Sequence, residues 1–79
     1  MPKLTKLKPP EQQAIEDELR KIYGGAMSTR QVGSELGLKD TAAKKWCDTA
    51  QVPYIQVERS ARRYRVADIA AAIYQNTYV

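Results

Sequence analysis

Four arginines lie within seven residues near the end of the chain, and they form its densest group of chemically active side chains. They are Arg59, Arg62, Arg63 and Arg65. A guanidinium group stays charged and forms forked hydrogen bonds that match a phosphate, so this cluster favours contact with a polyanion. One of the arginines could instead pair with Glu58 or Asp68, and a purely structural role for the whole group is the weaker alternative.

The other side chains that could do chemistry are few. The chain has no histidine and one cysteine, Cys47. This inventory excludes histidine-based acid–base catalysis, a zinc finger and a disulfide framework, and it leaves Cys47 without an activating imidazole. We therefore expect Cys47 to be a buried apolar residue. We also expect that the protein is not an enzyme and uses no cofactor or metal.

Positive charge is concentrated in two segments. The chain has 13 Lys and Arg residues against 9 Asp and Glu, a net charge of +4. Lys3, Lys6 and Lys8 supply three positive charges at the N-terminus, and the segment 53–66 carries three more. Such clustering on a small basic chain is typical of a nucleic-acid-binding surface. The segment 11–23 differs, because it has a net charge of −2.

Length and hydropathy limit the fold that must position these groups. With 79 residues, of which 43% are hydrophobic and 28% charged, the chain suits one globular domain. No apolar run approaches the roughly 20 residues that span a membrane, and the N-terminus lacks the apolar stretch of a signal peptide. These features, with the single thiol, predict a cytoplasmic protein that has no membrane partner.

The N-terminal part is predicted to be a basic flexible arm, residues 1–9, followed by a helix over 10–23. Proline suits the first turn of a helix, and the Gly-Gly pair after residue 23 stops it. One apolar stripe follows at helical spacing: Ile15, Leu19 and Ile22. We expect this stripe to pack on the core, and a partner-docking surface is the alternative.

A short helix is predicted to begin at Ser28. Ser28 and Gln31 form a capping-box pattern, in which each side chain can satisfy a backbone N–H group of the other residue. Val32 and Leu36 are the expected buried pair, and Gly37 ends the helix.

A further helix is predicted over about 40–50, capped by Asp40 or Thr41. At about 100° per residue it has two distinct faces. The expected core face consists of Ala43, Trp46, Cys47 and Ala50. The expected outer face consists of Thr41, Lys44, Lys45 and Asp48. Its lysines either contact a ligand or are simply solvated. Asp48 is expected to be a surface charge outside the contact, or an acceptor for a cytosine amino group.

The segment 53–66, named the wing below, alternates between two sides after its opening proline. Arg62, Tyr64 and Val66 fall on one side, and Arg63 and Arg65 fall on the other. We expect a β-hairpin with Tyr64 in the core and the second pair of arginines exposed. A last helix is predicted over 67–75, with 76–79 as a frayed tail.

Two short helices followed by a basic hairpin describe a winged helix-turn-helix. The predicted class is mainly α with a small β-hairpin, in a single domain over 10–75 that carries an extra N-terminal helix. The helix-turn-helix occupies 28–50. In such a fold the second helix can enter the major groove of DNA, and the hairpin reaches phosphates or the minor groove.

Several short motifs in this order resemble a known family. They are ELGL at the turn, the tryptophan in AAKKW, the proline that opens the wing, RRYRV in the second wing strand, and Asp68-Ile69 at the last helix. Over about residues 27–74 the chain resembles the excisionase and MerR-type winged-helix family of bacterial and phage DNA-binding domains. It departs from that family at Gly33, where alanine is common, and at Lys39, where serine or threonine is usual. It also has no glycine at the wing tip.

The resemblance implies a small DNA-binding protein, encoded by a bacterium or a phage. Its role would be that of an excisionase (a recombination directionality factor), a transcription regulator or a phage packaging component. MerR proteins continue into a long dimerisation helix and an effector domain, which this sequence lacks, so an excisionase-like role is favoured. Such a factor would bind double-stranded DNA in the nucleoid, self-associate on adjacent sites, bend the DNA and contact an integrase or recombinase.

The candidate DNA contacts fall into three groups. The recognition helix contributes Lys39, Thr41, Lys44 and Lys45, the wing contributes Arg59, Arg62, Arg63 and Arg65, and auxiliary contacts come from Lys3, Lys6, Lys8 and Arg30. We expect Trp46 and Tyr64 to be core residues. The alternative function is a protein-interaction adaptor that uses the acidic helix 10–23. An RNA-binding function is weaker, because no stacking aromatic residue is obviously exposed.

Overall fold

Four helices and two short strands make up the part of the chain that the structure, a computed structural model, describes: residues 9–56 and 58–78. In chain order the elements are α1 (Pro10–Tyr23), β1 (Ala26–Ser28), α2 (Thr29–Leu36), α3 (Asp40–Thr49), β2 (Arg63–Arg65) and α4 (Val66–Tyr78). The predicted coarse class, mainly helical with a small antiparallel pair of strands, is confirmed. Of the predicted arm 1–9, only Pro9 lies within the described residues.

The strand pairing differs from the predicted hairpin. Strand β2 pairs antiparallel with β1, and Met27 lies opposite Tyr64. The first half of the wing contributes one bridge, in which Ile55 and Arg63 exchange two backbone hydrogen bonds of 2.8 Å. The predicted hairpin within 53–66 is therefore reduced to this bridge among the described residues. The main partner of β2 is a three-residue strand that precedes α2, too short for an alternating pattern to reveal it.

The core lies where α1 packs on α4, α2 packs on α3, and the two-stranded sheet contacts α1, α2 and α4. Its largest fully buried side chains are Tyr64, Leu19, Met27, Ile69, Val32, Val66 and Cys47. The expected burial of Tyr64 and Cys47 is confirmed, since both are 0% exposed. Trp46 is only partly buried and packs at the edge of this cluster.

Helix α1 has the predicted bounds but is rotated relative to the predicted apolar stripe. Leu19 is buried and Ile15 partly so, but Ile22 is 59% exposed, so the expectation for Ile22 was wrong. Tyr23 packs against the core in its place, and its hydroxyl donates a hydrogen bond to the side chain of Glu35. Glu16 turns inward and is 5% exposed, with its carboxylate bonded to Arg20 at 2.7 Å.

Helix α2 begins and ends as its sequence predicts. Ser28 accepts a hydrogen bond from the backbone of Gln31, and the Gln31 side chain accepts one from the backbone of Ser28. Gly37 closes the helix in the left-handed conformation at φ 73°. Inside the helix, a Cβ atom on Gly33 would lie 2.6 Å from the backbone oxygen of Leu38. The turn into α3 therefore requires glycine at position 33.

The start of α3 corrects a sequence expectation. Neither Asp40 nor Thr41 is the N-cap, which is Lys39 in an extended conformation without a side-chain capping bond. Asp40 lies in the first turn instead, where a carboxylate interacts favourably with the positive end of the helix dipole. At the other end of the chain, α4 continues to Tyr78, so residues 76–78 are helical rather than the predicted frayed tail. Asn76 donates a side-chain hydrogen bond to the backbone oxygen of Ala72.

No helix in 9–56 or 58–78 combines the length and the apolar character that crossing a bilayer requires. The longest of these helices, α1, has 14 residues.

Candidate nucleic-acid interface

The outer face of α3 is open to solvent, as its periodicity predicts. Thr41, Lys44 and Lys45 are exposed, while Ala43 and Cys47 on the opposite face are fully buried. Helix α2 packs on α3 and holds this arrangement. The exposed face thus carries two ammonium groups and a hydroxyl, groups that can donate hydrogen bonds to phosphates or base edges.

The wing lies beside this face of α3. Thr41 and Lys44 of α3 line one shallow groove together with Gln56, Ala61 and Arg62 of the wing. Thr29, at the start of α2, and Asp40 complete its lining. Across the wing, Gln56 donates to the backbone oxygen of Ser60 at 2.9 Å, and Glu58 near the tip has a left-handed backbone at φ 54°. The groove therefore joins α2 and α3 to the wing.

Arg62 stands apart from the other wing arginines because its side chain is partly buried and bonded to other side chains. Its Nη1 donates to Asp48 Oδ1 at 2.8 Å and to Tyr64 Oη at 3.3 Å. Its guanidinium carbon also lies 4.0 Å from the centre of the Tyr54 ring. Hydrogen bonds with Tyr64 and Asp48 raise the pKa of Arg62, so its charge persists at every working pH. The predicted partners for a wing arginine, Glu58 and Asp68, are not the ones that Arg62 uses.

Arg63 and Arg65 lie on the opposite side of β2 and are exposed. They line a second groove with Pro53, Tyr54, Ile55 and Asp68. Tyr54 and Ile55 are 44% and 48% exposed, so this surface is apolar as well as basic. Both arginines are accessible from solvent, but they do not face the groove beside α3.

The remaining candidate contacts have simpler positions. Lys39 precedes α3, Arg30 lies in the first turn of α2, and Arg59 lies at the wing tip; all three are exposed. Lys3, Lys6 and Lys8 lie outside the described residues. The exposed cations that the structure places on α3 and the wing are therefore Lys39, Lys44, Lys45, Arg59, Arg63 and Arg65.

Cys47 lies beneath this surface, in an environment that disfavours a reactive thiolate. Burial raises the pKa of the Cys47 thiol, while a hydrogen bond with Tyr64 acts in the opposite direction. The thiol is 0% exposed, which removes it from reactions with solvent-borne electrophiles. It therefore serves packing, as the sequence predicts.

Sequence reasoning missed several residues of these surfaces. Thr29 and Gln56 line the groove beside α3, and Tyr54 and Ile55 accompany the exposed arginines. Alternation alone could not identify the last two, because it places neighbouring residues on opposite sides, whereas both line one groove. The pairing of Asp48 with Arg62 had no sequence signal either, because it joins residues 14 positions apart.

Comparison with models of known families, with curated proteins and with solved structures found no match. What the chain does must therefore be inferred from the geometry and charge of the surfaces described above.

Proposed function

We propose that the chain is a non-enzymatic protein that binds double-stranded DNA as a winged helix-turn-helix. Helix α3 enters the major groove through its outer face, and the wing contacts the backbone or the minor groove. The observation that carries the proposal is the groove that joins Thr41 and Lys44 of α3 to Gln56 and Ala61 of the wing. It places the outer face of α3 directly beside the wing.

The dimensions and chemistry of this surface agree with DNA recognition. The major groove of B-DNA admits one α-helix. Helix α3 is ten residues long, and its exposed side chains include Thr41, Lys44 and Lys45. Arginine suits both phosphates and narrow minor grooves, and Arg59, Arg63 and Arg65 are exposed along the wing. Strand β1 supports the wing from inside, since its Met27 pairs with Tyr64.

The biological role that we propose follows from the family resemblance. The protein acts as an excisionase-like recombination directionality factor, or as a small transcription regulator, of a phage or mobile element. It works in the bacterial cytoplasm on the nucleoid, self-associates on adjacent DNA sites and contacts an integrase or recombinase.

The proposed function is tested by selecting bound sites from random double-stranded DNA and then measuring affinity against salt concentration. Lys44, Lys45 and three exposed wing arginines amount to about five phosphate contacts, so a log–log slope of about −4 to −5 is expected. A selected sequence motif together with this slope supports the proposal. A slope near zero, or the absence of any enriched sequence, contradicts it.

A matched control separates the proposed surface from general basicity. Lys44→Ala and Lys21→Ala remove the same charge from exposed positions of two different helices, α3 and α1. Only Lys44→Ala should make the salt slope shallower, by about one unit. Equal effects of the two substitutions would mean that DNA is attracted by net charge alone.

A second candidate function, a protein-interaction adaptor, has its own supporting observation. A groove between α1, α2 and α4 combines the carboxylates of Glu11, Glu18 and Glu35 with an apolar floor of Ile15, Leu19 and Ile73. Ile22, 59% exposed, lies on the same side of α1 as Glu11 and Glu18 by helical geometry. Acidic and apolar groups together suit a basic amphipathic helix of a partner.

The adaptor function is tested without removing α1, because Leu19 of that helix is part of the core. The double substitution Glu18→Gln with Ile22→Ser changes only exposed side chains. If the chain is an adaptor alone, this variant loses a partner that the unaltered chain retains, and neither protein binds DNA. Full DNA binding by both proteins supports the first proposal instead.

A further inference from the structure

Three parts of the molecule meet at one guanidinium group. Arg62 of the wing is bonded to Asp48 of α3 at 2.8 Å and to the Tyr64 hydroxyl at 3.3 Å, and it stacks over Tyr54 at 4.0 Å. The rings of Tyr54 and Tyr64 are themselves in edge contact, with centres 6.0 Å apart. These contacts join the outer face of α3 to both halves of the wing.

Exposure distinguishes Arg62 from its neighbours. The Arg62 side chain is 17% exposed, whereas the Asp48 side chain is 52% exposed. Arg63, one residue later, is exposed and lies on the other side of the strand. The arginine of the pair is therefore the enclosed partner, and the carboxylate is the partner that faces solvent.

The position of Asp48 on α3 gives the pair a consequence for ligands. Asp48 lies about one turn after Lys44 and Lys45, and on the same outer face. An unpaired carboxylate there would repel the phosphates that these lysines attract. The Arg62 guanidinium neutralises that carboxylate and is itself occupied by the contact.

We propose that Asp48 and Arg62 form a latch that fixes the wing against α3 and withholds Arg62 from DNA. Asp48 is then a specificity determinant, and Arg62 is a positioning residue rather than a DNA contact. This inference rests on the proposed DNA-binding function. The latch keeps one mobile cation away from the phosphates, so that binding depends more on the fixed geometry of α3 and the wing.

The first test removes the carboxylate charge. Asp48→Asn is compared with Asp17→Asn, which removes the same charge from an exposed position of α1, outside the groove beside α3. Released Arg62 should neutralise one further phosphate in Asp48→Asn, which makes the salt slope steeper by about one unit. Affinity for scrambled DNA should rise by about five- to tenfold, more than for the selected site, so discrimination falls. Asp17→Asn should leave discrimination unchanged.

The second test removes the arginine. The double variant Arg62→Gln with Asp48→Asn removes the guanidinium without leaving an unpaired carboxylate, and it should leave the salt slope unchanged, because the latch keeps this guanidinium off the phosphates. Arg63→Gln, the substitution one residue away, should make the slope shallower by about one unit. The latch is overturned if the double variant flattens the slope as Arg63→Gln does and Asp48→Asn behaves like Asp17→Asn.

The third test needs no DNA, so it separates failure of the latch from failure of the proposed function. Ile55 and Arg63 exchange two backbone hydrogen bonds of 2.8 Å, and their amide hydrogens report whether the wing stays closed. Their exchange should be about three- to tenfold faster in Asp48→Asn than in Asp17→Asn, because a charge-assisted bond is lost. The charge-reversed pair Asp48→Arg with Arg62→Asp should restore slow exchange. Unchanged exchange in Asp48→Asn would overturn the latch whether or not DNA binds.

Discussion

The two rows of side chains on residues 62–66 lie in opposite environments, although they alternate along a single stretch of chain. Tyr64 and Val66 of the inner row are 0% exposed, and Arg62 of that row is bonded to Asp48 and Tyr64. Arg63 and Arg65 of the outer row are exposed and line an open groove. The inner row belongs to the fold, and the outer row is available to a ligand.

This difference shows that a cluster of like residues need not act as a unit. Four arginines in seven residues suggest one phosphate-binding patch, but the pleat of the strand distributes them over two faces. The residues that contact each side of the strand then determine what the arginines on that side can do. Asp48 and the Tyr54 ring approach Arg62 on one side, whereas Arg63 and Arg65 on the other side are exposed and line an open groove.

The largest expected effect comes from truncating the inner row. Tyr64→Ala should lower the free energy of unfolding by about 3–5 kcal/mol, because it removes a fully buried aromatic ring. Arg63→Ala, the neighbouring outer-row substitution, should change it by under about 0.5 kcal/mol. Urea unfolding of both variants gives the comparison, and similar losses would mean that the two rows do not differ as described.

A second aromatic residue calibrates this result. Trp46 is only partly buried, so Trp46→Ala should cost less than Tyr64→Ala, although tryptophan is the larger side chain. A greater loss for Trp46→Ala would place the centre of the core at α3 rather than at the sheet.

The next largest effect concerns how sequence is read. Thr41→Ala and Lys45→Ala should each reduce discrimination between the selected site and scrambled DNA, by about 1–3 kcal/mol if a base contact is lost. Both residues are exposed on α3, so stability should barely change. Competition binding with the two DNAs measures the difference. If Arg63→Ala abolishes discrimination while these variants retain it, the wing is the reader and α3 only a clamp.

Much of the fold could be predicted because its signals are local. The prolines and Gly-Gly pair bounded α1, the capping box and Gly37 bounded α2, and the two faces of α3 followed from its 3.6-residue period. Strand β1 could not be predicted in the same way. It has three residues, and the chain segment that pairs with it follows two helices later.

The candidate site was less predictable, for a related physical reason. Exposure of Lys44, Lys45, Arg63 and Arg65 follows from periodicity alone. Whether the Arg62 guanidinium is free or bonded depends instead on the carboxylate of Asp48, which tertiary packing brings close. In α1, Tyr23 rather than Ile22 packs against the core, and its hydroxyl donates to Glu35 of another helix. Sequence spacing predicts which residues share one side of a helix or strand, but the residues that contact that side lie elsewhere in the chain.

A smaller effect is expected from the outer row. Arg63→Ala should weaken binding to the selected site and to scrambled DNA almost equally, by about five- to tenfold near 0.1 M salt, because one phosphate contact is lost. The salt slope should become shallower by about one unit. Anisotropy titrations at several salt concentrations measure both quantities. A loss confined to the selected site would make Arg63 a reader of sequence or of groove shape.

The smallest expected effect contrasts the latch with the contact between Tyr23 and Glu35, where the Tyr23 hydroxyl donates at 3.1 Å. Burial first, and then this hydrogen bond and the charge of Glu35, raise the pKa of Tyr23. The unfolded chain therefore loses this proton before the folded chain does. The contribution to stability is fully present below the unfolded pKa of about 10 and is lost as pH rises through the folded pKa.

Its size should be under about 1 kcal/mol, the usual contribution of a single exposed hydrogen bond. Urea midpoints of the unaltered chain and of Tyr23→Phe, measured from about pH 7 to about pH 11, should converge at the alkaline end. Arg62→Gln should instead differ from the unaltered chain by a constant amount, because the Arg62 guanidinium remains charged throughout this range. The opposite result would contradict this prediction: urea midpoints that converge with pH for Arg62→Gln and stay a constant distance apart for Tyr23→Phe.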